Sequence, residues 1–188
     1  MLTMSPRIIL DTARFHIVID RLCHQLIENH KDFTDTVIIG VQPRGIYLAE
    51  RIVRRIAAIK KGLNIPSGKL DITFYRDDFR TTKSPLKANQ TVINFSLEDK
   101  NIILVDDVLY TGRTIRSALD ALLDFGRPAD VELLVLIDRR LHRHLPIQAK
   151  YIGKTIDSIN DEKVLVEWQE QGEEDKVWLV HKINPERS

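Results

Sequence analysis

Two spacings of apolar residues alternate along the chain. From Asp11, residues Phe15, Val18, Ile19, Leu22, Leu26 and Ile27 recur at helical spacing, which predicts an amphipathic first helix with Asp11 or Thr12 as its N-cap. Its outer face carries Arg14, His16, Asp20, Arg21, His24 and Glu28, the mixed pattern of a solvated surface. Short runs rich in Ile, Leu and Val cover Val37 to Val41, Asn101 to Val105 and Val131 to Ile137, and suit strands buried on both faces of a parallel sheet. Helical spacing returns over Ile46 to Lys60 and over Thr114 to Phe125. The second of these predicts burial of Ile115, Ala118, Leu119, Leu122 and Leu123, with Gly126 and Pro128 as its stop. Asn64 to Lys69 reads as a turn leading to a strand over Leu70 to Tyr75, Met1 to Arg7 as a tail, and Leu141 to Ser158 as irregular. Near the end, Val164, Val166 and Trp168 share one face, QEQGEED makes a turn, and Val177 to Val180 returns as the second strand of a hairpin. Strands alternating with helices predict an α/β fold, a central mostly parallel sheet flanked by helices.

Composition narrows this to one domain. With 188 residues, 43% hydrophobic and 29% charged, residues 1–188 suffice for one well-filled α/β core. Basic and acidic residues number 28 and 27, so no global excess of positive charge announces nucleic acid, and an RNA site would have to be a local patch. The single cysteine, Cys23, excludes an internal disulfide and falls on the apolar side of the first helix, as a structural thiol would. Apolar runs are no longer than strands and no charged-then-apolar leader opens the chain, so a soluble cytoplasmic protein without a membrane partner is expected.

The chemistry gathers in NIILVDDVLYTGRT, residues 101–114. A buried run ends in Asp106 and Asp107, passes Val108, Leu109 and Tyr110, and enters a helix through Thr111, Gly112, Arg113 and Thr114. A Gly- and Thr-rich turn at a helix N-terminus offers backbone N–H groups and hydroxyls to a phosphate monoester. Two carboxylates just upstream would repel a triphosphate, yet they accept hydrogen bonds well from vicinal ribose hydroxyls. The implied ligand is a ribose 5-phosphate. Neither a GxxxxGK[ST] loop nor a GxGxxG fingerprint occurs. A second strand-to-helix turn, Gln42-Pro43-Arg44-Gly45, places a guanidinium at the ligand-binding edge expected of such a sheet, suited to bidentate contact with a diphosphate. Residues 79–93 run without periodicity through Arg80, Lys83 and Lys87, a length and composition that suit a functional loop.

VDDVLYTGRT resembles the 5-phosphoribosyl 1-pyrophosphate (PRPP) motif of the type I phosphoribosyltransferases. GVQPRGIYLAERI, LDITFYRDDF and LPIQAKYIGKTIDS extend the likeness over most of residues 8 to 160, toward the branch that regulates pyrimidine operons and makes UMP from uracil. The resemblance implies the type I fold with a small hood, formed by residues 139–160 and the C-terminal strands, and a lid over 79–93 in which Arg80, Lys83 and Lys87 reach the diphosphate. It also implies a non-proline cis bond at Pro43–Arg44. Asp106 and Asp107 would hold the ribose hydroxyls directly or through Mg²⁺, which accompanies PRPP. Val108 to Thr114 would cradle the 5′-phosphate, and Pro43, Arg44 and Gly45 would bind the leaving group. A homodimer or homotetramer is implied as well. Purine-specific members place an Asp just before the Thr-Gly of this loop; Tyr110 stands there instead, which fits a pyrimidine, with Asp138 and Arg139 nearest the base.

Two classes of function follow. The motifs carry the enzyme, uracil phosphoribosyltransferase, with another base as its variant. The regulator would bind pyrimidine-operon leader RNA through a patch including Arg21, His24, Arg139, Arg140 and Arg143. Ile17, Asp20, Asn29 and Gln148 stand where RNA-binding members carry basic or hydroxyl groups, so a phosphoribosyltransferase without an RNA role is the alternative.

Overall fold

The computed structural model describes residues 6–76, 88–159 and 161–181. In chain order its principal elements are β1 (Arg7–Leu10), α1 (Thr12–His30), β2 (Thr36–Val41), α2 (Gly45–Ile59), β3 (Ser67–Leu70), β4 (Asn101–Leu109), α3 (Arg113–Leu122), β5 (Asp130–Arg139), β6 (Tyr151–Ile156), β7 (Glu162–Glu167) and β8 (Lys176–His181). Strands β3-β2-β4-β5-β6 form one parallel sheet, and β1-β8-β7 form a smaller antiparallel one.

Side-chain alternation explains why the central strands are apolar throughout. Ile103 and Val105 of β4 and Leu134 and Leu136 of β5 face α1 and α2, which contribute Phe15, Leu22, Leu26, Leu48, Ile52 and Ile56. Ile102, Leu104, Leu133 and Val135 face the opposite layer, where α3 supplies Ile115, Ala118, Ala121 and Leu122. The N-cap of α1 is Asp11, whose carboxylate accepts a hydrogen bond from the Arg14 amide at 2.8 Å. Cys23 is fully buried against α2, and burial pushes its thiol up to about 12, as a structural role requires.

Several expectations need correction. The strand placed over Leu70 to Tyr75 lies earlier, at Ser67–Leu70, pairing with β2 in parallel and bridged to Val92 on its other edge. Asp71 ends it: its carboxylate accepts from the amide and hydroxyl of Thr73 and turns Thr73–Tyr75 into a 3₁₀ turn. Residues assigned to a hood include β6, which is the edge strand of the main sheet. Arg7 belongs to a strand, not a tail, and pairs with Leu179 of β8. Helix α3 stops at Leu122, and Leu119 and Leu123 are 37% and 66% exposed, because Ala118, Ala121 and Leu122 occupy the inward face. The cis peptide is Gln42–Pro43, one bond before the one expected.

Candidate active site

Chain direction creates the crevice. From β2 the chain returns through α2 on one face of the sheet; from β4 it returns through α3 on the other. The C-terminal ends of β2 and β4 therefore sit at a reversal of strand order, where open α/β sheets take their ligands. Both motifs lie there. Gly45 opens α2 directly against β4: a Cβ on it would stand 2.3 Å from the Val105 carbonyl oxygen and 3.0 Å from the Asp106 Cα. Only glycine allows the helix bearing Arg44 to come so near the acidic pair.

Asp106 and Asp107 lie within β4 at 7% and 9% exposure, and the Asp107 amide donates to Asp106 Oδ1 at 2.9 Å. Burial, then the neighbouring Asp107 charge, raises the Asp106 carboxyl well above its ordinary 3.8. Asp107 is also raised by burial, with the Arg44 charge working the other way. The guanidinium is thus close enough to act on Asp107. These two carboxylates fit an Mg²⁺ that arrives with its phosphate ligands, because hard oxygen donors suit it and it needs few from the protein. Among the described residues no group of three or more His, Cys, Asp or Glu side chains could hold a metal by itself.

A strap from the far side shapes the phosphate loop. The Tyr110 carbonyl accepts from Arg143 Nη1, and the Thr111 carbonyl accepts from the amides of His144 and Leu145 at 3.0 and 3.2 Å. In a trans peptide the N–H points opposite to the C=O, so these bonds turn the Thr111 and Gly112 amides away from the strap. Gly112 has φ +91, reserved in practice for glycine, and its carbonyl accepts from the Arg116 amide at 3.0 Å to begin α3. Fixed amides at a helix N-terminus can cradle a phosphate.

Asp138 and Arg139 end β5, with Asp138 in register with Leu109 of β4. Asp138 is buried and ion-paired to Arg143. The Arg139 guanidinium lies 4.0 Å over the Tyr110 ring, donates from Nε to Ser158 Oγ at 2.8 Å and from Nη2 to the Glu162 carbonyl at 3.0 Å.

The fold keeps only part of the proposed RNA patch at the surface. Arg139 is 4% exposed and Arg143 is turned into the loop, so two of its five members face inward. Arg140 is exposed and bidentate with Asp157, His24 is exposed, and Arg21 reaches the carbonyls of Ile152 and Gly153. Arg80, Lys83 and Lys87 lie outside the described residues. The end of that loop is pinned: Asp71 accepts from the Asn89 amide, Thr91 Oγ1 accepts from the Asp71 amide, and Gln42 Nε2 donates to the Gln90 carbonyl. Sequence reasoning missed the strap, Ser158 and the Glu162 carbonyl. Arg143 is one of three arginines in DRRLHRH, residues 138–144, and nothing in the string separates it from Arg140, so it was grouped with the RNA patch.

Comparison with known proteins agrees with this geometry. The phosphoribosyl transferase domain model matches residues 7–171. The chain is similar to the "Bifunctional protein pyrR" of Enterococcus faecalis, 40% identical over 94% of this chain and 97% of that one. It is also similar to the "Bifunctional protein PyrR" of Haemophilus influenzae, 46% identical over 88% and 93%. Among solved structures, a hypoxanthine phosphoribosyltransferase from Staphylococcus aureus superposes with a TM-score of 0.68 at 20% identity, covering 97% of this chain and 94% of that one, a likeness of fold.

Proposed function

The chain belongs to the phosphoribosyl transferase family, and from that premise we propose that it joins uracil to PRPP, giving UMP and pyrophosphate, and also serves as a UMP-responsive regulator that binds pyrimidine-operon leader RNA. The observation carrying the catalytic half is the convergence of Arg44, the Asp106–Asp107 pair and the strapped 110–114 loop at one reversal of strand order. Tyr110 in place of a loop carboxylate supports a pyrimidine, since the loop offers no acid to exchange a proton with a purine ring.

The transition state is oxocarbenium-like, so the protein's task is positioning and charge stabilisation. Amides of the 111–114 turn bind the 5′-phosphate, Asp106 and Asp107 accept from the ribose hydroxyls, and Arg44 stabilises the charge that develops on the departing diphosphate. Mg²⁺, when bound with PRPP beside Asp106 and Asp107, supplies charge neutralisation to diphosphate and ribose oxygens. Pyrophosphate released from PRPP, Mg²⁺ and uracil is the expected signal, and no release from that mixture removes the catalytic half.

The regulatory half draws on the relatives' description as bifunctional, and its cations reduce to His24, Arg140 and the exposed side of Arg21. A filter-binding titration with leader RNA, with and without UMP, should show UMP-dependent binding tighter than to an unrelated RNA. The slope of log K against log salt should be shallow, about 0.7 to 0.9 per phosphate contact. Equal binding to both RNAs leaves the enzyme alone.

A further inference from the structure

We infer that Arg139 reads a carbonyl oxygen of the pyrimidine ring, through the guanidinium nitrogen left over once Tyr110, Ser158 and Glu162 have engaged the rest of the group. The inference rests on the uracil reading above and adds to it the residue that recognises the base.

Three contacts hold the guanidinium: the Tyr110 ring at 4.0 Å, Ser158 Oγ on Nε and the Glu162 carbonyl on Nη2. Nη1 is different. It makes no hydrogen bond among the described residues, yet it is not among their sealed, unpartnered nitrogens. Arg139 as a whole is 4% exposed, so the two N–H groups of Nη1 are held almost entirely out of bulk solvent. A charged donor kept almost dry and left unsatisfied is costly, and it is the arrangement expected where a ligand supplies the missing acceptor. Arginine stays protonated there and can only donate. Uracil presents two carbonyl oxygens on its ring, both acceptors.

Sheet order gives the direction. Arg44 follows β2, the acidic pair lies on β4, and Arg139 ends β5, three neighbouring parallel strands spaced about 4.8 Å apart. In a displacement at the sugar's C1′ the incoming ring nitrogen and the departing diphosphate oxygen take opposite sides: the C1′–O bond breaks as the C1′–N bond forms, the oxygen leaves with the bonding pair, and the proton on the ring nitrogen passes to the released pyrophosphate. Diphosphate at Arg44 and ribose at the acidic pair therefore put the base toward β5, where Arg139 waits. The same burial removes Arg139 from any RNA-facing surface.

The test measures steady-state constants for both substrates in Arg139→Gln and Arg139→Lys, with 2-thiouracil and 4-thiouracil as probes, because sulfur accepts hydrogen bonds poorly. In the unmodified protein one of the two thio analogues should be disfavoured relative to uracil roughly tenfold or more, and that discrimination should vanish in Arg139→Gln. KM for uracil should rise roughly 10- to 100-fold while KM for PRPP stays within about twofold. If both KM values rise together, or if the discrimination survives in Arg139→Gln, the contact is structural and the inference is overturned. Should neither variant fold, the unmodified protein still decides: equal use of uracil and both thio analogues overturns the inference. An unmodified protein inactive with uracil defeats the functional reading instead, and is recognised before any variant is compared.

Discussion

Arg44 and Gly45 show how far one residue can be read. The sequence placed a cation and a glycine in a strand-to-helix turn, and the fold sets that turn against β4, where a side chain on Gly45 would overlap the Val105 carbonyl at 2.3 Å. Gly45→Ala should accordingly lower stability by about 3 kcal/mol or more, since the obstacle is backbone that cannot rotate away. A chemical denaturation midpoint within error of the unmodified protein would show that α2 can lift from β4. Arg44→Ala should cost about 2 to 4 kcal/mol of barrier, expressed in kcat, while UMP affinity holds, because UMP lacks the diphosphate the arginine serves. Near-parental turnover with lost UMP affinity would assign Arg44 to the nucleotide. What the sequence concealed at this scale is the partner of each cation: Arg139, Arg140 and Arg143 look alike in the string, yet one lies over Tyr110, one pairs with Asp157 at the surface and one grips the phosphate loop.

Elements with a strong internal pattern were legible, and those defined by a neighbour were not. Helix α2 fell within a residue of its expected bounds and α1 began at its expected cap, Asp11, because burial of one face repeats along each. Strand β1 has only four residues, with Ile8 exposed, and exists because β8 offers it an edge; β6 exists because β5 does. Two polar clusters tie such elements together. Arg51 of α2 pairs with Glu170 and Asp175 beside the β7–β8 hairpin, where Asp175 is 2% exposed in its side chain. Arg51→Met should destabilise by about 3 to 5 kcal/mol by leaving that buried carboxylate with only the Gln169 amide and the His16 ring beside it. The midpoint of urea unfolding checks it, and a loss under 1 kcal/mol, the typical worth of an exposed pair, would place the cluster in water. At the other end, Glu132 of β5 meets Lys150, Tyr151 and His30. Burial acts to raise its pKa, but those three partners outweigh burial and leave it below the ordinary 4.5. A depressed carboxyl contributes stability that is complete above its unfolded value and is lost as pH falls through the folded one. Glu132→Gln should therefore lower the thermal midpoint at neutral pH and flatten the decline in stability below about pH 4.5. A variant whose acid decline is as steep as before would assign that decline to other groups.

At the scale of the whole molecule, one topological fact organises the function. The order β3-β2-β4-β5-β6 sends α2 and α3 to opposite faces, so two loops distant in sequence open into one crevice. Composition and periodicity reached the class of fold, and the motif reached the superfamily, but strand order is a property of the assembled sheet and was not visible residue by residue. The strap at 143–145 and the cap over Arg139 belong to the same level, since each joins segments that meet only after the sheet has formed. Which base this crevice accepts decides what the protein makes. The most direct measurement supplies PRPP and Mg²⁺ with uracil, cytosine, hypoxanthine and guanine in competition and identifies the nucleotide formed. UMP as the dominant product is the expected result, while IMP or GMP formed in preference to UMP would contradict the assignment of a pyrimidine to this site.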